Sequence, residues 1–171
     1  VVVGLETADG LIESDAYVLS PGAYAQTLLA GTACDDKIHG VLGAWLRLPN
    51  VEPRLDRSLK LARRGHITED ANITVATGAG GEPLMIIGSG YGHTGVDPDN
   101  IDRTALQKIH AGLVDTALRF FPRAYETALA AGLLEASLKH CVRPWTATGL
   151  GLFEMLPTVK SGRCIITGGH N

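Results

Sequence analysis

One long stretch of this sequence carries clear helical periodicity, and that limits the folds open to the chain. Leu106, Ile109, Leu113, Ala117 and Phe120 recur at the spacing of one helix face, which predicts an amphipathic helix packed on one side. Asp97-Pro98-Asp99-Asn100 supplies turn and N-cap chemistry ahead of it. Phe121-Pro122 ends it, and a second helix, about Arg123 to Ala131, stops at Gly132 in the manner of a C-cap.

The other apolar runs are short and punctuated. Val1 to Thr7 is rich in β-branched residues, and Leu11 to Ser20 resumes a strand pattern after Ala8-Asp9-Gly10. Asp-Gly between two such runs predicts a hairpin, because glycine tolerates the positive φ of a tight turn. Pro21-Gly22 stops the second run, and Ala23 to Leu29 reads as a short helix. Val41 to Leu48 is a strand bounded by Pro49 and Pro53; Ile73 to Thr77 and Leu84 to Ile87 form a second hairpin around Gly78-Ala79-Gly80-Gly81. Leu134, Ala136, Leu138, His140 and Val142 alternate at period two, as a strand does, and Arg163 to Thr167 is a last short strand. Hairpins beside two consecutive helices, in place of strands alternating with helices, predict an α+β fold.

Composition narrows the function classes. A chain of 171 residues, 45% hydrophobic and 19% charged, can bury a core. A net charge of −3, mixed along the chain, gives no basic footprint for nucleic acid; Arg63-Arg64 is the densest basic spot and reads as a solvated turn. No apolar run approaches the roughly 20 residues of a membrane span. Val1-Val2-Val3-Gly4 has no signal-peptide character and begins as if mid-strand, so a truncated, processed or fragmentary chain is expected. Cys34, Cys141 and Cys164 are odd in number and lie in no CxxC, which fits buried thiols in a reducing, cytoplasmic compartment, with membrane association through a partner left open.

Several motifs fail on context. Gly90-Tyr91-Gly92-His93-Thr94-Gly95 satisfies G-x-G-x-x-G after a strand, but Pro98 and an acidic turn intervene before any helix begins. A glycine-rich turn at a strand end is the expected reading, and a nicotinamide site the weaker one. His39, His66, His93, His110, His140 and His170 show no metal-ligand spacing, and the adjacent His140 and Cys141 point to opposite faces of a strand. Gly88-Ser89-Gly90 is not a nucleophile elbow.

Two segments stand out. Asp15 to Tyr24 is an apolar strand running into a glycine turn, where backbone can approach a ligand without a Cβ in the way. Arg143-Pro144-Trp145-Thr146-Ala147-Thr148-Gly149 places an arginine at a strand end, suited to grasping a carboxylate with its two-pronged guanidinium or to a structural ion pair.

Taken in order, the chain resembles the D-amino-acid oxidase-like flavoprotein superfamily, whose relatives include glycine and sarcosine oxidases, D-amino-acid dehydrogenases and the flavin subunits of hydrogen cyanide synthases. The residues that carry the likeness are Ser14-Asp15-Ala16-Tyr17-Val18-Leu19-Ser20-Pro21-Gly22-Ala23, Phe120-Phe121-Pro122, Arg143 to Gly149, and Gly168-Gly169-His170. The resemblance implies a C-terminal portion of an enzyme in which a Rossmann-like domain holds FAD and an antiparallel or mixed sheet flanked by helices forms the substrate domain. On that pattern residues 1–36 and 146–171 belong to the FAD-binding domain, and 37–145 form the substrate domain.

The resemblance assigns Arg143 to the substrate carboxylate, and Gly22, Ala23, Gly168, Gly169 and His170 to the flavin. Tyr91, His93 and His66 are further expected in the substrate cavity. No catalytic acid or base and no metal is assigned. The substrate is expected to be a small amino acid or amine, oxidised at its C–N bond. The rest of the FAD domain is expected in the same gene product or on another chain, so that a hetero-oligomer is one form to test. The family's phosphate-binding glycine loop and ribose acid are not found here; Thr148 replaces a common aspartate, Gly151 a common proline, and Pro21 interrupts the small residues before Gly22. The competing reading is a non-catalytic scaffold subunit that keeps the fold.

Overall fold

A computed structural model describes residues 1–62, 65, 70–158 and 162–169. The chain divides into two compact units, the first comprising Val1–Val41, Thr94–Asn100 and Arg143–Asn171, the second Leu42–His93 and Ile101–Val142.

The first unit opens with the expected hairpin: β1 (Leu5–Thr7) pairs antiparallel with β2 (Gly10–Ile12), Thr7 opposite Gly10, and Gly10 has φ 118°. The strand expected over Leu11 to Ser20 is broken. The Ser14 N–H donates to the Tyr17 hydroxyl at 2.6 Å, and that hydroxyl donates to the Ile12 carbonyl at 3.3 Å, which ties a kink between β2 and β3 (Ala16–Leu19). A single 3-10 turn (Gly22–Tyr24) and α1 (Ala25–Leu29) follow. β3 pairs parallel with β10 (Arg163–Gly168), which pairs antiparallel with β9 (Leu152–Pro157). Tyr17, Ala25, Leu29, Cys34, Ile38, Cys164 and Ile166 form the core of this unit.

The second unit is built on a five-stranded sheet, in the order β5 (Leu59–Leu61), β6 (Ala71–Thr77), β7 (Pro83–Gly95), β4 (His39–Pro49) and β8 (Leu138–Trp145). The β6–β7 hairpin is antiparallel, with Thr77 opposite Pro83. Its core joins Leu42, Ala44, Leu46 and Leu48 of β4, Ile73 of β6, and Met85 and Ile87 of β7 to α2 (Arg103–Phe120) and α3 (Pro122–Ala130). The fold is α+β.

Four local expectations are corrected. The N-cap of α2 is Asp102, whose carboxylate accepts from the Thr104 and Ala105 N–H groups, whereas Asp97 accepts from the Asp99 N–H within the preceding turn. Phe121, not Phe120, fills the core: Pro122 disfavours helical backbone just before it, so Phe121 turns to φ −137° and buries its ring, leaving Phe120 37% exposed. Leu134–Ser137 is a helical turn, α4, and not strand; the Ser137 hydroxyl donates to the Leu133 carbonyl. Gly90 to Gly95 lie within β7 instead of forming a turn after it. The end of α3 does behave as expected: Gly132, at φ 66°, donates to Leu129 O and Leu133 N–H to Ala128 O, a Schellman motif.

Candidate functional site

β3 and β10 are adjacent and parallel, with Leu19 beside Ile166, so their carboxyl ends finish side by side. In open α/β sheets ligands bind in the crevice beyond such ends. Here the crevice is a hollow of about 200 Å³ lined by Ser20, Gly22, Pro144, Thr167, Gly168 and Gly169. It unites three of the expected flavin residues, and Pro144 places the backbone next to Arg143 at the same opening.

The three glycines are there for different reasons. Gly22 has φ 64°, and a Cβ built on it would meet nothing within 4 Å, so its missing side chain opens onto free space. On Gly168 a Cβ would come within 2.8 Å of Ile38 Cδ1, and on Gly169, at φ 68°, within 2.5 Å of Thr146 Cγ2. Those two glycines let the end of β10 press against its own unit. Ala23 is 4% exposed and is not among the residues lining the hollow. His170 and His66 lie outside the described residues.

Arg143 belongs to the first unit and sits in β8, half-buried, with its Nε atom fully enclosed. Leu138 and Val142 of the same strand pack on the core of the second unit, so alternation turns Arg143 to the other side of the strand. Tyr91 and His93 belong to the second unit and are both exposed, on one face of β7.

A second hollow, about 320 Å³, escaped the sequence reasoning. It is lined by Asp36, Lys37, Thr146, Ala147, Thr148, Leu150, Gly151 and Leu152. One wall is a tight turn in which Gly149 N–H donates to Thr146 O at 2.9 Å and Leu150 N–H to the Thr148 hydroxyl at 3.3 Å. The Thr146 hydroxyl donates to Leu150 O, and Lys37 is paired with Glu154 at 3.1 Å. The hydroxyls and the ammonium are thus engaged within the protein, and the turn residues Thr148-Gly149 were the available sequence signal.

Elsewhere, burial raises the thiol pKa of Cys34 and Cys164, which keeps both protonated and inert. Among the described residues no group of three His, Cys, Asp or Glu side chains is placed to hold a metal ion, and no helix is long and apolar enough to cross a membrane.

No protein-family model matches the sequence, and no curated protein does. Solved structures do share the fold. Glycine oxidase from Geobacillus kaustophilus matches over 97% of this chain and 39% of its own, at 18% identity and a TM-score of 0.55. Glycine oxidase from Bacillus cereus matches over 99% and 41%, at 16% identity and 0.57. An FAD-dependent oxidoreductase from Pseudomonas aeruginosa matches over 96% and 43%, at 17% identity and 0.50. This chain therefore has the fold of a portion of these flavoproteins and spans about two fifths of their length.

Proposed function

We propose that the chain is part of an FAD-dependent oxidoreductase that oxidises the C–N bond of a small amino acid or amine. The observation that supports it best is the hollow at the carboxyl ends of β3 and β10, in a fold shared with glycine oxidases.

The residues present fit one part of a flavin nucleotide. The hollow is edged by small residues and backbone, and Gly22 leaves open the space a Cβ would fill. Its volume of about 200 Å³ is below the roughly 300–1,000 Å³ of pockets that enclose a whole ligand. On this reading the rest of the grip comes from another segment, in the same gene product or on another chain. Exposed apolar side chains support that reading: Val18 of β3 is 67% exposed, and Phe153 and Met155 of β9 are 63% and 53% exposed on the same side of the sheet. Parallel strands are ordinarily covered on both faces.

When bound, FAD supplies the acceptor for a hydride from the substrate α-carbon. The chain's own contribution is positioning. Gly22 admits the cofactor to the backbone, and Arg143 holds the substrate carboxylate in a charge-assisted fork. Tyr91 and His93 are read separately, as substrate contacts carried by the second unit. No side chain is assigned as acid or base, since hydride transfer from a neutral amine depends chiefly on alignment.

The test is the colour of the full-length protein. It should be yellow, and its flavin band should bleach without oxygen when the right amino acid or amine is added. A colourless full-length protein would favour the scaffold reading, and activity that depends on added NAD would favour the nicotinamide one.

A further inference from the structure

Strand β7 changes phase midway. Met85 and Ile87, two residues apart, are fully buried in the core against α2; the next buried position is Gly90, an odd step further on. The neighbouring strand shows the same slip. Asn50 N–H donates to Pro83 O at 2.9 Å and Trp45 lies beside Gly88, whereas Leu42 lies beside Gly92, one residue out of step with both. One extra residue is therefore accommodated between Gly88 and Gly92, with Gly90 at φ 106°. This is a β-bulge.

Its consequence falls on the two side chains that follow. An unbroken alternation would put Tyr91 and His93 on the same side as Met85 and Ile87, under α2. The bulge turns them to the opposite face, where Trp45 also stands and on which, among the described residues, this unit packs no helix. Only glycine serves at position 90. A Cβ there would come within 2.6 Å of Ile109 Cγ2 on α2, and the φ is one that L side chains rarely adopt.

We infer that Gly90 is a positioning residue for substrate recognition: by holding the bulge closed against Ile109 it presents Tyr91 and His93 on the helix-free face. The role, though not the bulge, rests on the proposed reading of those two side chains as substrate contacts. It also accounts for the G-x-G-x-x-G pattern without a nucleotide, since Gly90 meets Ile109, Gly92 meets Leu42 at 3.2 Å, and Gly95 closes the strand at φ 74°.

Cysteine labelling reads the parity directly. In full-length protein carrying Cys141→Ser, to remove the exposed thiol, the probes are Ile86→Cys, Ile87→Cys, Tyr91→Cys and His93→Cys, with buried Cys34 and Cys164 as controls for intact folding. Positions 86 and 91 share a face only if the bulge exists. A maleimide should modify Ile86→Cys, Tyr91→Cys and His93→Cys, with Ile87→Cys at least about tenfold slower because it is buried. Protection at 91 and 93 like that at 87 would overturn the bulge. A non-oxidisable carboxylate analogue of the substrate should slow labelling at 91 and 93 and not at 86. Deleting Ser89, which restores the alternation, should raise KM by roughly tenfold with a smaller change in kcat and flavin absorbance retained. Labelling as expected, with no protection by the analogue, would overturn the positioning role even if the deletion variant fails to fold. Absence of flavin from the parent protein would instead count against the broader reading, and the labelling pattern would still stand.

Discussion

His110 and His140 hold their imidazole rings 6.5 Å apart, tilted by 55°, between α2 and β8. Nε2 of His110 is buried without a hydrogen-bond partner. Burial lowers the His110 pKa below its ordinary 6.5, the neighbouring His140 lowers it further, and a hydrogen bond to the Lys139 backbone partly opposes both. The unfolded chain thus holds more protons than the folded one once the pH falls below about 6.5. Stability contributed by neutral His110 is complete above that pH and is lost as the pH falls through the lowered pKa. Denaturant midpoints measured from pH 8 to pH 5 should decline, and His110→Gln should flatten the decline. An unchanged slope would remove His110 as its source.

Gly169 and Thr146 make a matched pair. Gly169→Ala brings a methyl to 2.5 Å of Thr146 Cγ2 and forces alanine into a left-handed backbone. The expected loss is about 1–3 kcal/mol. Adding Thr146→Ser removes that methyl and keeps the hydroxyl, so part of the loss should return while the backbone share remains. Thermal unfolding of the single and double variants measures both shares, and strictly additive effects would contradict the contact.

Asp102→Ala strips α2 of the side chain that accepts from Thr104 and Ala105 at 2.8 and 3.2 Å. A cost of about 1 kcal/mol is expected in urea unfolding. The same change at Asp97 should cost less, since that carboxylate caps a turn and not the helix.

Arg143→Ala should weaken carboxylate substrates by roughly 2–5 kcal/mol, as when one partner of a buried charge pair is truncated. Flavin content should barely change. Steady-state kinetics with paired substrates, one bearing a carboxylate and one without, decide it: equal losses for both would contradict the assignment.

Much of this architecture was legible because local chemistry and tertiary context agree. Asp9-Gly10 makes the turn its backbone favours, and Gly132 ends α3 by supplying the positive φ that a Schellman motif needs. The failures occur where neighbours decide. β9 carried no period-two signal, because Leu152, Glu154 and Leu156 on one face and Phe153, Met155 and Pro157 on the other are alike in polarity. Leu134 to Val142 alternates in sequence throughout, yet the first four residues are helical, with the Ser137 hydroxyl donating back to the Leu133 carbonyl. The bulge in β7 was hidden because the side chain that demands glycine at position 90 is Ile109, some twenty residues downstream on another element. At the site, a glycine turn after β3 was readable from Pro21-Gly22. That Gly168 and Gly169 answer to Ile38 and Thr146 was not, since neither partner is near in sequence.

Gly22 separates a flavin cradle from an ordinary strand end most directly. Gly22→Ala and Gly22→Leu incur the same backbone strain at φ 64°, but only leucine extends far into the hollow. In the full-length protein, flavin bound per chain should fall steeply from alanine to leucine while the two melting temperatures of the cofactor-free forms stay alike. Equal, undiminished flavin content in both variants would show that the cofactor does not lie there.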